Sequence, residues 1–160
     1  MLLTQLENRN ERSNGGCGMN EKDTVYLESE LLKSDSVEAF LKENEAELQT
    51  KNVQEYLMEL LIQYNVDKKD VIRRSCLAPS YAHNIFNGDR PNVKRDKLIM
   101  IAFGFPLTLE ETNRLLLYGG HSRLYVKNRR DTFIMFALEK KYDLMKTNEY
   151  LYAKNVDILE

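Results

Sequence analysis

The feature that most constrains the fold is the spacing of apolar residues, which follows the period of an α-helix through long parts of the chain. Between residues 53 and 63 they stand at i, i+3, i+4, i+7 and i+8, the pattern of one buried helix stripe: Val53, Tyr56, Leu57, Leu60 and Leu61. Asn65 follows, and asparagine tolerates the left-handed conformation in which many helices end. We therefore predict an all-α fold.

Helix-boundary residues predict two short helices directly after this one. Asp67 suits the N-cap of a helix over residues 67–75. Pro79 suits the first turn of the next helix, where its missing N–H has no intrahelical partner, and Asn87-Gly88 is a turn dipeptide that ends it. Residues 75–78 are left as a tight turn between the two helices.

A helical hairpin follows, and its sequence recurs 35 residues later. Residues 94–102 parallel residues 129–137, and nine of the 27 aligned positions in 94–120 and 129–155 are identical. The capping box at residues 108–111 opens the second helix of the first hairpin, and Gly119-Gly120 closes it. Either the hairpin is duplicated, with the second copy packed on the first, or two amphipathic helix pairs are similar by chance.

Charge is distributed unevenly along a chain whose net charge is -2. Residues 1–49 carry 5 basic and 11 acidic side chains, whereas residues 65–97 carry 8 basic and 4 acidic ones. A second basic island, residues 121–141, carries 6 basic and 2 acidic side chains. Such islands in an acidic protein suggest a localised polyanion-binding face, although ordinary solvated helix faces would give the same counts.

The N-terminal third is polar and acidic. We expect residues 1–20 to be a disordered leader, and codons for Gly15-Gly16 can spell a ribosome-binding sequence, so that translation would start at Met19. Residues 23–48 predict one or two acidic amphipathic helices, with a capping-box-like start at residues 35–38. They would serve either as a structural brace or as an arm that binds a protein partner.

The sequence lacks the residues that several classes of function require. The sequence contains no run of about 20 apolar residues, the length needed to cross a bilayer, and its first residues lack the pattern of a signal peptide. We therefore expect a cytoplasmic protein without membrane contact. The cysteines and histidines are too few and too dispersed for a zinc site or a disulfide framework: Cys17, Cys76, His83 and His121. With no phosphate loop or nucleophile elbow either, we expect no enzyme, catalytic residue, cofactor or metal.

Residues 71–75, Tyr81 and residues 85–88 resemble the phage lambda repressor-like helix-turn-helix family, and in its extended form the regulators of that family found in Gram-positive gut bacteria. Arg90-Pro91, residues 95–98 and residues 107–112 also fit. The resemblance implies a DNA-binding domain over residues 51–120. An acidic helical arm over 21–50 would precede it, and a C-terminal helical hairpin over 121–160 would pack on it.

What the resemblance implies for function is a transcriptional regulator that binds double-stranded DNA in a sequence-specific manner. A homodimer that reads two half-sites about 34 Å apart is the usual solution for this motif. The alternative is a protein-interaction adaptor that reuses the fold, because fold alone does not establish function.

The second short helix is the expected base reader, because one exposed helix fits the major groove of B-DNA, which is about 12 Å wide. Burial of Ala82, Ile85 and Phe86 would leave four side chains pointing outward: Ser80, Tyr81, His83 and Asn84. The resemblance implies base contacts by Pro79, Ser80, Tyr81 and Asn84, and phosphate contacts by Lys68 and Asn87. His83 would be a base contact, a pH switch or a plain exposed residue.

Four further basic residues follow this helix closely in the chain, and we expect them to extend the phosphate track: Arg90, Lys94, Arg95 and Lys97.

Two features need a structure to interpret. Cys76 stands where the family usually has glycine, so we expect either a strained turn or a slightly different one. The thiol would be either a buried space-filler or a redox sensor. Residues 133–138 are apolar almost all round the predicted helix, which predicts burial either between the two hairpins or in a dimer interface. Tyr150 and Tyr152 would join either surface.

Overall fold

A computed structural model of the chain describes residues 24–48 and 51–160, and every regular element in these two ranges is an α-helix, as predicted. No helix in these ranges is long and apolar enough to cross a membrane. The expected disordered leader and the proposed start at Met19 lie outside the described residues. The described residues divide into two compact units, one within residues 24–48 and the other within residues 51–160.

Residues 24–48, the described part of the first unit, form three short helices: α1 (Thr24–Lys33), α2 (Val37–Glu43) and α3 (Glu45–Leu48). The Ser36 side chain caps α2, accepting a hydrogen bond from the Ala39 N–H at 3.2 Å and donating one to Glu38 at 3.0 Å. The capping start predicted from the sequence is therefore present. The number of helices is larger than predicted, because Asn44 leaves the helical conformation at the end of α2.

The second unit contains seven helices: α4 (Val53–Gln63), α5 (Lys68–Arg74), α6 (Pro79–Asn87), α7 (Arg95–Gly104), α8 (Leu109–Tyr118), α9 (Arg129–Glu139) and α10 (Leu144–Ala153). The predicted stripe of α4 faces the core, with Tyr56, Leu57 and Leu60 buried. Asn65 ends the connection after α4 with a left-handed φ of 48°.

Helices α5 and α6 lie within one residue of their predicted bounds. Asp67 caps α5 by accepting a hydrogen bond from the Lys69 N–H at 2.8 Å, and Pro79 opens α6. Helix α5 packs closely on α7: a Cβ added to Gly104 would lie 2.5 Å from the Val71 carbonyl oxygen. The absence of a side chain at this glycine lets the backbones of α5 and α7 approach closely.

The repeated sequence forms two hairpins, α7–α8 and α9–α10, with matching hydrogen bonds. Asn113 Oδ1 accepts the Leu124 N–H at 2.8 Å, and Asn148, 35 positions later, accepts the Leu159 N–H at the same distance. Gly120 and Asn155, also 35 apart, both adopt positive φ, at 75° and 53°. This agreement position by position favours a duplicated hairpin over chance similarity.

Two ion pairs, Arg95–Asp131 and Arg130–Asp96, join the hairpins reciprocally, and together they are called the clamp below. The Arg95 guanidinium donates to both carboxylate oxygens of Asp131, at 3.0 and 2.8 Å. Arg130 donates to both oxygens of Asp96, at 2.9 and 2.8 Å. Arg95 corresponds to Arg130 in the repeat and Asp96 to Asp131, so each copy gives an arginine and receives one. If the second hairpin were related to the first by a translation alone, the two ion pairs would not be equivalent. A local two-fold axis between the hairpins makes them equivalent.

The same arginines also hold the chain that follows their own hairpin. Arg95 donates to the carbonyls of Ser122 and Arg123, both at 3.3 Å. Arg130 donates to the corresponding carbonyls of Asp157 and Ile158, at 2.8 and 2.9 Å. Helix α8 packs on α9 and α10 packs on α7, as the two-fold relation requires.

We expect Asp131→Asn to lower the free energy of unfolding by about 3 kcal/mol. The substitution removes the buried negative charge that pairs with the Arg95 guanidinium, which is itself largely shielded from water. Asp96→Asn is the matched variant, and it should cost only about 1 kcal/mol because the Asp96 side chain is half-exposed. Urea unfolding of both variants measures the difference. Equal losses would contradict a burial-dependent clamp.

Glu111 joins the end of α4 to the start of α8. Its carboxylate accepts hydrogen bonds from Gln63 Nε2 at 2.7 Å, from the Tyr64 hydroxyl at 2.6 Å and from the Thr108 N–H at 2.8 Å. These bonds outweigh burial and lower the pKa of Glu111 from its ordinary value of 4.5. Burial and the Glu111 carboxylate raise the pKa of Tyr64 to about 12, so the hydroxyl remains a donor at neutral pH.

The lowered pKa means that ionised Glu111 stabilises the fold above pH 4.5, and that this contribution is lost as the pH falls through the lowered pKa. We therefore expect Glu111→Gln to flatten the loss of stability as the pH falls below 4.5. Urea unfolding at a series of pH values checks this. Glu110→Gln, which changes an exposed neighbouring carboxylate, should leave the slope unchanged.

Candidate nucleic-acid interface

Helix α6 has one buried face and one exposed face. Ala82, Ile85 and Phe86 lie in the core, as their spacing predicted. On the opposite side Ser80, His83 and Asn87 are exposed and Asn84 is half-buried, at the spacing of one helix stripe. Pro79 is exposed at the start of the helix. The structure therefore leaves the predicted base-reading side of α6 open to solvent along its whole length.

Tyr81 lies at the edge of this face under two cations. The Arg90 guanidinium is 4.7 Å from the centroid of the Tyr81 ring, and Lys97 Nζ is 5.8 Å from it. The ring is half-buried. These contacts bring the loop after α6 and the first turn of α7 next to the exposed face, so Tyr81 both borders the face and positions its neighbouring positive charges.

Lys68 and Asn87 meet at the other edge of the face. Lys68 Nζ donates to Asn87 Oδ1 at 3.1 Å and lies 5.4 Å from the centroid of the Phe86 ring. The bond joins the start of α5 to the last turn of α6. The two residues that the resemblance implied as phosphate contacts are thus side by side, although they are 19 positions apart in the chain.

Lys94 and Arg95, adjacent in sequence, have different surroundings. Lys94 is exposed at the N-cap of α7. Arg95 is half-buried and directs its guanidinium to Asp131 and to two backbone carbonyls, away from α6. The sequence assigned Arg95 to the phosphate track; the structure places its donors in the clamp between the hairpins, so we leave it out of the candidate interface.

The electrostatics of the face are basic because the nearby acids have partners elsewhere. Helix α6 itself contains no acidic residue. Asp67 caps α5, Asp70 pairs with Arg73 at 2.7 Å, and Asp96 pairs with Arg130. Asp89, just after α6, is the exposed acid beside the face. An anion approaching α6 therefore meets lysine and arginine side chains at both edges.

The expectation of a buried Cys76 thiol is wrong. Cys76 adopts a left-handed φ of 53° and its side chain is exposed. The interior of the turn is filled instead by its neighbours Ser75 and Leu77, both buried. Sequence reasoning passed over Ser75, whose hydroxyl donates to the Ile72 carbonyl at 2.7 Å and accepts from the Leu77 N–H at 3.4 Å. This serine, and not the thiol, organises the turn.

Arginines of the second basic island are engaged between and within the two hairpins, so the island does not extend the α6 face. Arg123 pairs with Glu110 at 2.6 Å, Arg130 pairs with Asp96, and Arg129 lies over the Phe133 ring. Helix α9, expected to be buried on two sides, is buried on one: Ile134, Ala137 and Leu138 face the core, whereas Phe136 is exposed.

The search for a metal centre and the comparison with known proteins add no second candidate site. Among the residues that the structure describes, no three His, Cys, Asp or Glu side chains are grouped so as to hold a metal ion. Comparison of the chain with family models, curated proteins and solved structures found no match. The exposed face of α6 and its basic edges are therefore the features of the molecule that bear on function.

The left-handed turn predicts how Cys76 responds to substitution. Cys76→Gly should raise the free energy of unfolding by about 0.5 kcal/mol, because the relief of a side chain at positive φ outweighs the extra freedom of the unfolded chain. Cys76→Ala should be neutral, and Cys76→Val should cost more than about 1 kcal/mol. Thermal unfolding of the three variants measures the order. A destabilising Cys76→Gly would show that the thiol contributes to packing.

Proposed function

We propose that residues 51–120 form a helix-turn-helix domain of the lambda repressor-like type that binds double-stranded DNA with sequence specificity and regulates transcription. Helix α6 enters the major groove and α5 crosses the phosphate backbone. The observation that carries the proposal is the exposed, acid-free outer stripe of α6, bordered by basic side chains at both edges.

Base reading falls to the side chains that project from the stripe, namely Ser80, His83 and Asn84, with Pro79 and Tyr81 at its border. Asn84 has the most selective chemistry of these, because its amide can donate to and accept from adenine at the same time. One good bidentate pair of this kind discriminates against a wrong base by about 1–3 kcal/mol.

Phosphate contacts fall on both flanks of the groove. Lys68 and Asn87 contact the phosphates of one DNA strand from the edge where they meet. The phosphates of the other strand are contacted by Arg90, Lys94 and Lys97. Arg95 supports these indirectly by holding the first turn of α7 against the second hairpin. Because phosphates carry no sequence information, this part of the interface supplies salt-dependent affinity and register.

A cytoplasmic homodimer is the form in which we expect the protein to act. Two copies would read a palindromic site whose halves lie about 34 Å apart. Selection of bound fragments from random duplex DNA, combined with a light-scattering mass of the free protein, tests both the sequence preference and the dimer.

Two substitutions separate base reading from phosphate binding. Asn84→Ala should relax the sequence preference at one position by about 1–3 kcal/mol while leaving binding to unrelated duplex unchanged. Lys94→Ala should weaken binding to all duplexes similarly and make the dependence of log K on log salt shallower by about one unit. Fluorescence anisotropy with the selected site and a scrambled duplex, over a range of salt concentrations, measures both effects.

The control for these variants is Lys42→Ala, which removes one exposed positive charge from α2 in the other unit. It should leave affinity and salt dependence unchanged. If no duplex binds the wild-type chain even at low salt, the DNA-binding proposal fails and the adaptor alternative takes its place.

A further inference from the structure

The outer side of the second hairpin carries an aromatic face that the DNA-binding proposal does not use. We define it by four rings and the four cations interleaved with them: Phe133, Phe136, Tyr142 and Tyr150 with Arg129, Lys140, Lys146 and Lys154. Along α9 these residues stand at i, i+4, i+7 and i+11, and from Tyr142 through α10 at i, i+4, i+8 and i+12.

The rings contact one another and each carries a cation. The Phe133 and Tyr150 centroids are 5.3 Å apart and those of Phe136 and Tyr142 are 6.2 Å apart, both in edge-to-face geometry. Lys146 Nζ lies 3.9 Å from the Tyr142 centroid. Phe136 is 43% exposed. Phe133, Tyr142 and Tyr150 are half-buried. The cluster is therefore a preformed apolar surface with cations beside its rings, and it is open to solvent at Phe136.

The first hairpin shows what such a face does when it is covered. The counterparts of Phe133, Phe136, Tyr142 and Tyr150, 35 positions earlier, are all buried: Leu98, Ile101, Leu107 and Leu115. Helix α4 packs on α8, and α5 packs on α7. On the first copy, then, this surface of the hairpin is a helix-docking surface. Its duplicate retains the apolar character, and within residues 51–160 no helix covers Phe136.

The charge at the centre of the face differs between the copies and indicates the partner. Lys146 corresponds to Glu111, whose carboxylate accepts hydrogen bonds from Gln63 and Tyr64 at the end of the docked helix. With lysine in place of glutamate, the polar contact requires an acceptor on the partner. Arg129, Lys140 and Lys154 add positive charge around it.

We propose that the aromatic face binds an acidic amphipathic helix of another protein. The apolar side of that helix covers Phe136 and its neighbouring rings, as α4 and α5 cover the first hairpin, and its carboxylates pair with Lys146 and the surrounding cations. The mode is that of a helix in a groove, with specificity supplied by charge complementarity. It is independent of the DNA-binding face, which lies on α6.

The test uses the full chain and a labelled model peptide of about 20 residues, with leucines at i, i+3, i+4 and i+7 and glutamates on both flanks. A matched peptide with lysines in place of the glutamates is the probe control. Fluorescence anisotropy should show saturable binding of the acidic peptide alone, weakening with added salt. Lys146→Glu should reduce its affinity by at least about tenfold, whereas Lys127→Glu, in the loop before α9, should have little effect.

Phe136→Ala is a second variant, and its helical content by circular dichroism verifies that the fold is retained; it too should lose the peptide. Equal binding of both peptides, or equal effects of Lys146→Glu and Lys127→Glu, would overturn the proposal. A light-scattering mass that halves only in the variants of the aromatic face would also overturn it, because the occupant would then be a second copy of the chain. Displacement of the acidic peptide by duplex DNA would overturn it too. None of these results bears on Asn84→Ala, so the two proposals fail separately.

Discussion

The reciprocal pairing of Arg95 with Asp131 and of Arg130 with Asp96 is the interaction on which the second unit depends. Buried charges are costly unless they are fully paired, and here each guanidinium has a bidentate carboxylate and two carbonyls. Because Arg95 and Asp96 lie in the first turn of α7, the clamp also fixes the point at which Lys94 and Lys97 are presented beside α6. A contact that points away from α6 thus helps to set the geometry of the candidate interface.

The parts of the structure that could be predicted from the sequence are those determined locally. The stripe of α4, the Asp67 cap, the proline at the start of α6 and the Asn87-Gly88 stop each depend on residues within one or two turns. The repeat was visible because both hairpins keep the same core and capping positions. The exposed side of α6 followed from the spacing of its three buried residues.

The parts that could not be predicted depend on which surfaces meet. Nothing in the local sequence distinguishes Arg95 from Lys94; only the position of Asp131, on a helix 36 residues away, removes Arg95 from the surface. The left-handed turn exposes Cys76 because Ser75 fills the interior, a choice that the residue types leave open. Likewise, the apolar pattern of α9 showed that two sides favour burial but not that one of them lacks a partner within residues 51–160.

The two-fold exchange of the clamp has a consequence for how the hairpins associate. A single hairpin that carries both the arginine and the aspartate is complementary to itself, so the same contacts would hold a symmetric dimer of separate hairpins together. In this chain the end of α8, at Tyr118, and the start of α9, at Arg129, are joined by a short connection. Association is therefore intramolecular, at an effective concentration set by that connection, and dilution of the protein does not release one hairpin from the other.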